Sequence, residues 1–199
     1  MIDEGHMAIR PTPETRRQQI LDAACDCVRQ AGFHGASMAE IAKAAGLSVG
    51  QIYRYFENKE AIIAAIVAQD LAEMREKFAE MENRPGVLLD AIVEHLPEAI
   101  EKCFDPGRGA LVLEVLAEAA RNPKVAAIVR AADHQERAFV RVMMERSRKP
   151  EWDDAEFQAR CEVIGMLFDG MVMRAVNHPD TDREALARVL ETAIRQLLS

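Results

Sequence analysis

The chain has 199 residues, 49% of them apolar and 5% aromatic, which excludes disorder and allows one large domain or a small and a medium one. Its 25 Lys+Arg against 33 Asp+Glu give a formal charge of −8, so any contact with nucleic acid has to be local. The longest apolar runs, such as AIIAAIVA at 61–68, fall far short of a bilayer span, so no membrane partner is expected.

The opening MIDEGHM has neither the basic nor the apolar region of a signal peptide, and its GHM reads as a cloning remnant outside the fold. Cysteines stand at 25, 27, 103 and 161. Cys25 and Cys27 would lie about 200° apart around one helix, too far apart to share a metal. Reduced thiols in a cytoplasmic protein are expected, with redox sensing as the alternative.

From Thr15 to Gln30, Ile20, Ala23, Ala24, Cys27 and Val28 recur at helical spacing, and Gly32 is a natural stop. Ser37-x-x-Glu40 and Ser48-x-x-Gln51 are capping-box patterns, predicting short helices over about 38–44 and 49–55. Asn58 caps a long helix, about 59–82, which Pro85-Gly86 ends. Breaks at DPGRG (105–109), Asn122-Pro123, Lys149-Pro150 and NHPDTD (177–182) leave helices near 87–103, 109–120, 123–148, 153–177 and 182–198. Pro97 should kink or split the first of these. No stretch alternates long enough for a strand, so an all-α fold of about nine helices is expected. Three belong to an N-terminal head (8–57) and six to a larger body (58–199).

Two short capped helices joined by a tight turn form a helix-turn-helix unit. Ala42 is small where the helices approach, Gly46 supplies positive φ in the turn, and Ile41, Leu47 and Ile52 join the helices. With Ile52 and Phe56 facing inward, Gln51, Arg54 and Tyr55 face the other way, where Gln51 and Arg54 can reach base edges in a major groove. Tyrosine hydroxyls suit phosphates. Val49 either packs inward or touches a thymine methyl. The segment from Arg10 to Lys59 holds seven basic and five acidic residues, whereas 60–199 holds 18 and 26. A mildly basic head joined to an acidic body predicts few phosphate contacts per subunit, leaving specific readout to supply the rest.

Residues 32–63, GFHGASMAEIAKAAGLSVGQIYRYFENKEAII, with QQILDAA before them, resemble the N-terminal signature of the TetR (TetR/AcrR-like) family of bacterial transcriptional regulators. The resemblance covers roughly residues 15–65. It implies DNA contacts at Ser37, Ser48, Val49, Gly50, Gln51, Tyr53, Arg54, Tyr55 and Lys59. Ala39 replaces a base-reading arginine found in some relatives, which weakens readout from the first helix. The resemblance also implies homodimers, a double-stranded operator and a small-molecule effector held in the C-terminal body, with no cofactor and no metal.

In the body, the helix near 153–177 is apolar nearly all round in its second half, so both sides need cover. It should pair with the last helix and their twins in a four-helix interface including Gly165, Gly170, Met171, Leu186, Val189, Leu190 and Ala193. Phe104, Phe139, Met143, Met166 and Phe168 either line an adaptable effector pocket or form ordinary core. Asp169, a lone charge in an apolar run, could hold a cationic or hydroxylated ligand, pair with Arg174 or answer a helix dipole. His134, Gln135, Glu114 and Glu118 are expected to be solvated. The predicted function is a dimeric repressor released from a near-palindromic operator by a small, largely apolar effector. Alternatives are a ligand-independent DNA-binding factor and a small-molecule-binding activator. With no metal spacing and no Gly-rich phosphate loop, an enzyme is not expected.

Overall fold

The computed structural model describes residues 12–82 and 88–198. The readings of MIDEGHM and of Pro85-Gly86 as a helix stop lie outside the described residues. Within them the chain forms nine α-helices, one 3-10 turn and no strand: α1 (Pro13–Gly35), α2 (Met38–Ala44), α3 (Val49–Ile52), α4 (Lys59–Glu82), α5 (Leu88–Cys103), α6 (Pro106–Ala119), α7 (Pro123–Met144), α8 (Asp154–Asn177) and α9 (Arg183–Leu198). No helix among them is long and apolar enough to cross a membrane. The chain divides inside α4 into two compact units, residues 1–65 and 66–199.

The first unit closes around Ile20, Ala24 and Val28 of α1, Phe33, Ile41 and Ala42 of α2, Ile52, Phe56, and Ile62 and Ile63 of α4, all buried. Thr12 caps α1, accepting the Thr15 N–H at 3.2 Å, with Pro13 as the first helical residue. Gly32 does stop the regular helix: its φ of 71° and ψ of 172° put a kink there, beyond which one more turn runs to Gly35.

The second unit is built on a core of Leu96, Ile100, Phe104, Met143, Trp152, Phe157, Ile164, Met171, Leu190 and Ile194. In it α5 packs against α9, while α6 packs against α7 and α8. Three features of its helices differ from the sequence expectation: α7 ends at Met144 and passes into a 3-10 turn instead of reaching 148, and α6 and α5 also depart from it. α6 starts at Pro106 instead of 109, because Asp105 Oδ1 accepts the Arg108 N–H at 2.6 Å and Pro106 takes the first helical position; DPGRG is a helix start. α5 runs unbroken through Pro97. The proline is exposed, so the Val93 carbonyl it leaves without a helical partner can turn to water.

Glu118 corrects another expectation. Instead of being solvated it is 3% exposed. Its carboxylate accepts Arg121 Nε at 3.1 Å and Asn122 Nδ2 at 3.0 Å, while Asn122 Oδ1 accepts the Lys124 N–H at 3.1 Å. One buried acid thus sets the turn between α6 and α7 and orients the cap of α7. His134 and Gln135 are exposed, as expected, and Glu114 is half-buried.

Candidate nucleic-acid interface

Both capping boxes form. Ser37 Oγ accepts the Glu40 N–H at 3.2 Å while the Ser37 N–H donates to Glu40 Oε2 at 2.9 Å. The Ser37 backbone N–H first, and its hydroxyl second, hold the Glu40 carboxyl below its usual pKa. Ser48 and Gln51 repeat the arrangement at 3.3 and 2.8 Å. Between the boxes, Leu47 N–H donates to Ala42 O at 2.8 Å and Gly46 N–H to Lys43 O at 3.1 Å, a Schellman closure that needs a left-handed residue. Gly46 provides it, with φ of 63°.

The second helix is shorter than 49–55. It ends at Ile52, and residues 53–55 continue as a turn in which Arg54 N–H donates to Gln51 O and Tyr55 N–H to Ile52 O. These i→i−3 bonds tighten the backbone over a stretch rich in tyrosine, a weaker helix former, and deliver Phe56 to the core. The outward face survives the change. Ile52 and Phe56 are 0% and 2% exposed, while Ser48, Gly50, Gln51 and Arg54 are open to solvent and Tyr53 is 52% exposed. Val49, the ambiguous one, faces outward at 46%. Tyr55 is half-buried and Ser37 exposed.

Two candidate contacts carry internal duties. Gln51 Oε1 already accepts the Ser48 N–H, so its NH2 is the part left to donate to a groove acceptor. Lys59 Nζ donates to the Phe33 carbonyl and sits 4.1 Å from the centroid of that ring. Arg17, which the sequence reading passed over, does the same from the other side. Its guanidinium lies 4.2 Å over Phe56 and donates to the Tyr55 carbonyl at 3.3 Å. Arg17 belongs to a run of polar residues opening a helix, and no spacing rule distinguishes it from Arg16.

The residues proposed for the body separate into two groups. Along α8, Phe157, Ile164 and Met171 repeat every seventh position and are buried, whereas Val163, Met166, Met173 and Val176 are exposed, Met166 by 65%. Gly165 and Gly170 are also exposed, with open space where a Cβ would stand. On α9, Val189 is 68% exposed and Ala193 half-buried. Met171 and Leu190 lie in the chain's own core and Leu186 packs against it, so Met171 and Leu190 are withdrawn from the expected interface. Met166 is likewise withdrawn from the expected pocket, because it faces outward.

Of the other pocket candidates, Phe104 and Met143 are fully enclosed core residues. Phe168 is partly buried, and Phe139 stacks on Phe78 of α4 with centroids 5.6 Å apart and rings 7° from parallel. Charged groups that the sequence reading missed gather nearby. Arg108 of α6 forks onto both carboxylate oxygens of Asp70 of α4, with Nη2–Oδ2 at 2.7 Å. Burial alone would raise the Asp70 pKa, but the hydrogen bonds and charge of Arg108, with Lys102, outweigh it and hold it low. Glu136 of α7 keeps solvent access, yet protein crowding raises its pKa, with Asp169, Asp70 and Asp133 adding to the effect and Arg108 opposing it. Asp169 is raised chiefly by desolvation, then by Asp133; its nearby cation is Arg137 of α7 rather than Arg174. Asp70, Arg108 and Glu136 come from three helices, and nothing in their sequence spacing links them.

A capped two-helix unit with an open polar second face, followed by a body that is helical among its described residues, is the helix-turn-helix architecture of DNA-binding proteins. Residues 20–66 match the description "Bacterial regulatory proteins, tetR family", and residues 85–199 match "Tetracyclin repressor-like, C-terminal domain". The chain belongs to the TetR family of transcriptional regulators, whose named members are regulators and not enzymes. It is 37% identical over 131 residues to the HTH-type transcriptional regulator UidR of Escherichia coli K12, a match covering 65% of this chain and 63% of that protein. The chain therefore spans less than two thirds of the length of the UidR relatives. It is 27% identical over 194 residues to the HTH-type transcriptional repressor AcnR of Corynebacterium efficiens, covering 92% of this chain and 95% of that one. Among solved structures, Salmonella enterica GusR superposes with a TM-score of 0.77 at 28% identity, covering 96% of this chain and 98% of that one.

Proposed function

We propose that this regulator is a cytoplasmic homodimeric repressor that leaves a near-palindromic operator when a small, largely apolar effector binds. The head, residues 8–57, is the DNA-binding domain in this reading, and residues 58–199 hold the effector and the dimer seam. The observation that carries it is the exposed face of Ser48, Val49, Gly50, Gln51, Tyr53 and Arg54 on a fully packed helix-turn-helix. A packed core beneath open donors fixes where those donors point, which groove readout requires. The apolar stripe of Val163, Met166, Met173 and Val176, left open on α8, supports a second copy as partner. AcnR, repressor by name, supports the sign of the regulation.

Two recognition helices reach successive major grooves about 34 Å apart, so a dimer reads an inverted repeat. An effector lying against Phe139 and Phe168 acts by preferring the conformation in which that separation is wrong, re-tilting the helix that begins after Asn58. The test is selection of duplexes from a random pool, followed by mobility shifts with and without a broad set of small apolar compounds. Enrichment of an inverted repeat, and its release by at least one compound, is the expected result. A monomer with no duplex preference would end the reading. Binding strengthened by a compound would make the protein an activator or corepressed regulator, and binding indifferent to all would make it a ligand-independent factor.

A further inference from the structure

The capping box of Ser48 and Gln51 does more than start α3: it decides which atoms Gln51 has left to offer. The Ser48 backbone N–H donates to Gln51 Oε1 at 2.8 Å. A backbone donor cannot face the amide nitrogen, so this bond fixes which end of the Gln51 amide turns toward the start of α3. The oxygen is tied to the chain's own backbone, and on this exposed residue the NH2 group is the end that remains. Adenine is read when the oxygen and nitrogen of a glutamine amide engage its N6 and N7 together. Guanine presents two acceptors, O6 and N7, and needs only the NH2.

The neighbours on the exposed face point the same way. Val49 is apolar, and the Arg54 guanidinium only donates. The side-chain acceptors beside them are the hydroxyls of Ser48 and Tyr53, and Ser48 Oγ already takes the Gln51 N–H at 3.3 Å. Gly50 has no side chain, and no atom stands within 4 Å of where its Cβ would be. A base edge can therefore come close enough for an amide whose reach is shortened by its tether.

We propose that Gln51 is a specificity-determining residue locked as a hydrogen-bond donor, so that each head selects guanine and rejects adenine at the base it meets. This inference rests on the DNA-binding reading above and adds to it the base that the recognition helix takes. A free glutamine favours adenine through its two-point pairing; the capping box reverses that choice. The lock is a backbone N–H, so it is independent of the Ser48 hydroxyl.

The chain carries its own control for the test. In the first capping box a carboxylate does what Gln51 Oε1 does in the second, Glu40 Oε2 accepting the Ser37 N–H at 2.9 Å. Gln51→Glu should therefore keep the box while exchanging the remaining NH2 for an oxygen, which turns a donor into an acceptor at one point of the face.

Duplex selection from a random pool, with the wild type and with Gln51→Glu, reads the base preference position by position. The wild type should enrich an inverted repeat with guanine at one position of each half-site. Gln51→Glu should replace that guanine alone by a base presenting an amino group, cytosine or adenine. On the wild-type repeat, exchanging that guanine for adenine should cost the wild type about tenfold in affinity. The added negative charge also weakens binding, but equally on every duplex, so base identity is the deciding readout. Adenine at the position that changes, or no position that changes, overturns the inference and leaves the repressor reading standing. A wild type that enriches no repeat ends both. Circular dichroism checks that Gln51→Glu keeps its helices. If it does not fold, Gln51→Ala takes its place and should lose preference at one position, where the wild type selects guanine; another base there, or no loss, overturns the proposal.

Discussion

At the scale of single residues, backbone geometry and buried charge set the largest effects. Gly32 and Gly46 both have positive φ, but they are not equivalent. Gly46 sits in the left-handed region with no atom within 4 Å of a would-be Cβ, so Gly46→Ala meets only backbone strain, about 1 kcal/mol. Gly32, with ψ near 172°, occupies a region almost closed to other residues, and Gly32→Ala should cost about 1–3 kcal/mol. Thermal unfolding of the two variants should rank them in that order; the reverse order would contradict the kink at Gly32. Glu118→Ala removes a nearly buried carboxylate holding Arg121 and Asn122, and should lower stability by about 2 kcal/mol. The glycine was legible in sequence because a turn between two capped helices demands it. Glu118 was not, because burial of a charge depends on partners that become partners only when α6 meets α7.

At the scale of elements, caps decided what could be read in advance. Ser37 and Ser48 announce their helices because the capping box is local chemistry between residues three apart. Ser48→Ala should cost about 1 kcal/mol. The backbone N–H of residue 48 remains to hold Gln51 Oε1, so the variant loses only the Gln51 N–H to hydroxyl bond. Thermal unfolding of the variant checks this; an unchanged melting temperature would mean the cap contributes nothing. The end of α3, which has no cap signal, was misplaced. α3 was expected to reach residue 55 and closes three residues early, because tight i→i−3 bonding is a response to the core pulling Phe56 inward. The start of α6 was missed for a different reason: DPGRG contains glycines that look like a break, yet Asp105 with Pro106 is a complete start signal. On α8, the spacing of apolar residues showed that two sides need cover. It could not assign Met166 outward and Met171 inward, which follows from where α9 lies.

For the molecule as a whole, stability should depend on pH through the carboxylates of the second unit. Glu136 and Asp169 have raised pKa values, chiefly from desolvation. In the window between the ordinary carboxylate value and the raised one, the folded state binds more protons than the unfolded state, so these groups make stability fall as pH rises. Asp70, held low by Arg108, acts oppositely and loses its contribution as pH falls through its lowered value. Glu136→Gln removes the penalty alone. Its melting temperature should exceed that of the wild type at pH 7, and the two should converge at about pH 3, where the wild-type carboxyl is protonated in both states. An equal difference at both pH values would mean the effect is packing and not charge.

The proposed dimer gives the widest-reaching prediction, because in it DNA recognition and dimerisation would be coupled by geometry. Met166 is 65% exposed on α8, so in a lone chain Met166→Glu exchanges one solvated side chain for another and should leave the fold intact. Between two copies the same change places facing carboxylates in an apolar seam, where an unpaired charge is costly enough to part the chains. Sedimentation should then show the variant at the one-chain mass of 22.2 kDa and the wild type at twice that. Helical circular dichroism should be unchanged. Affinity for an inverted-repeat duplex should fall steeply, since each head then binds alone and the second half-site no longer contributes through its tether. A variant that still sediments as the wild type does would remove α8 from the seam, whatever the DNA result.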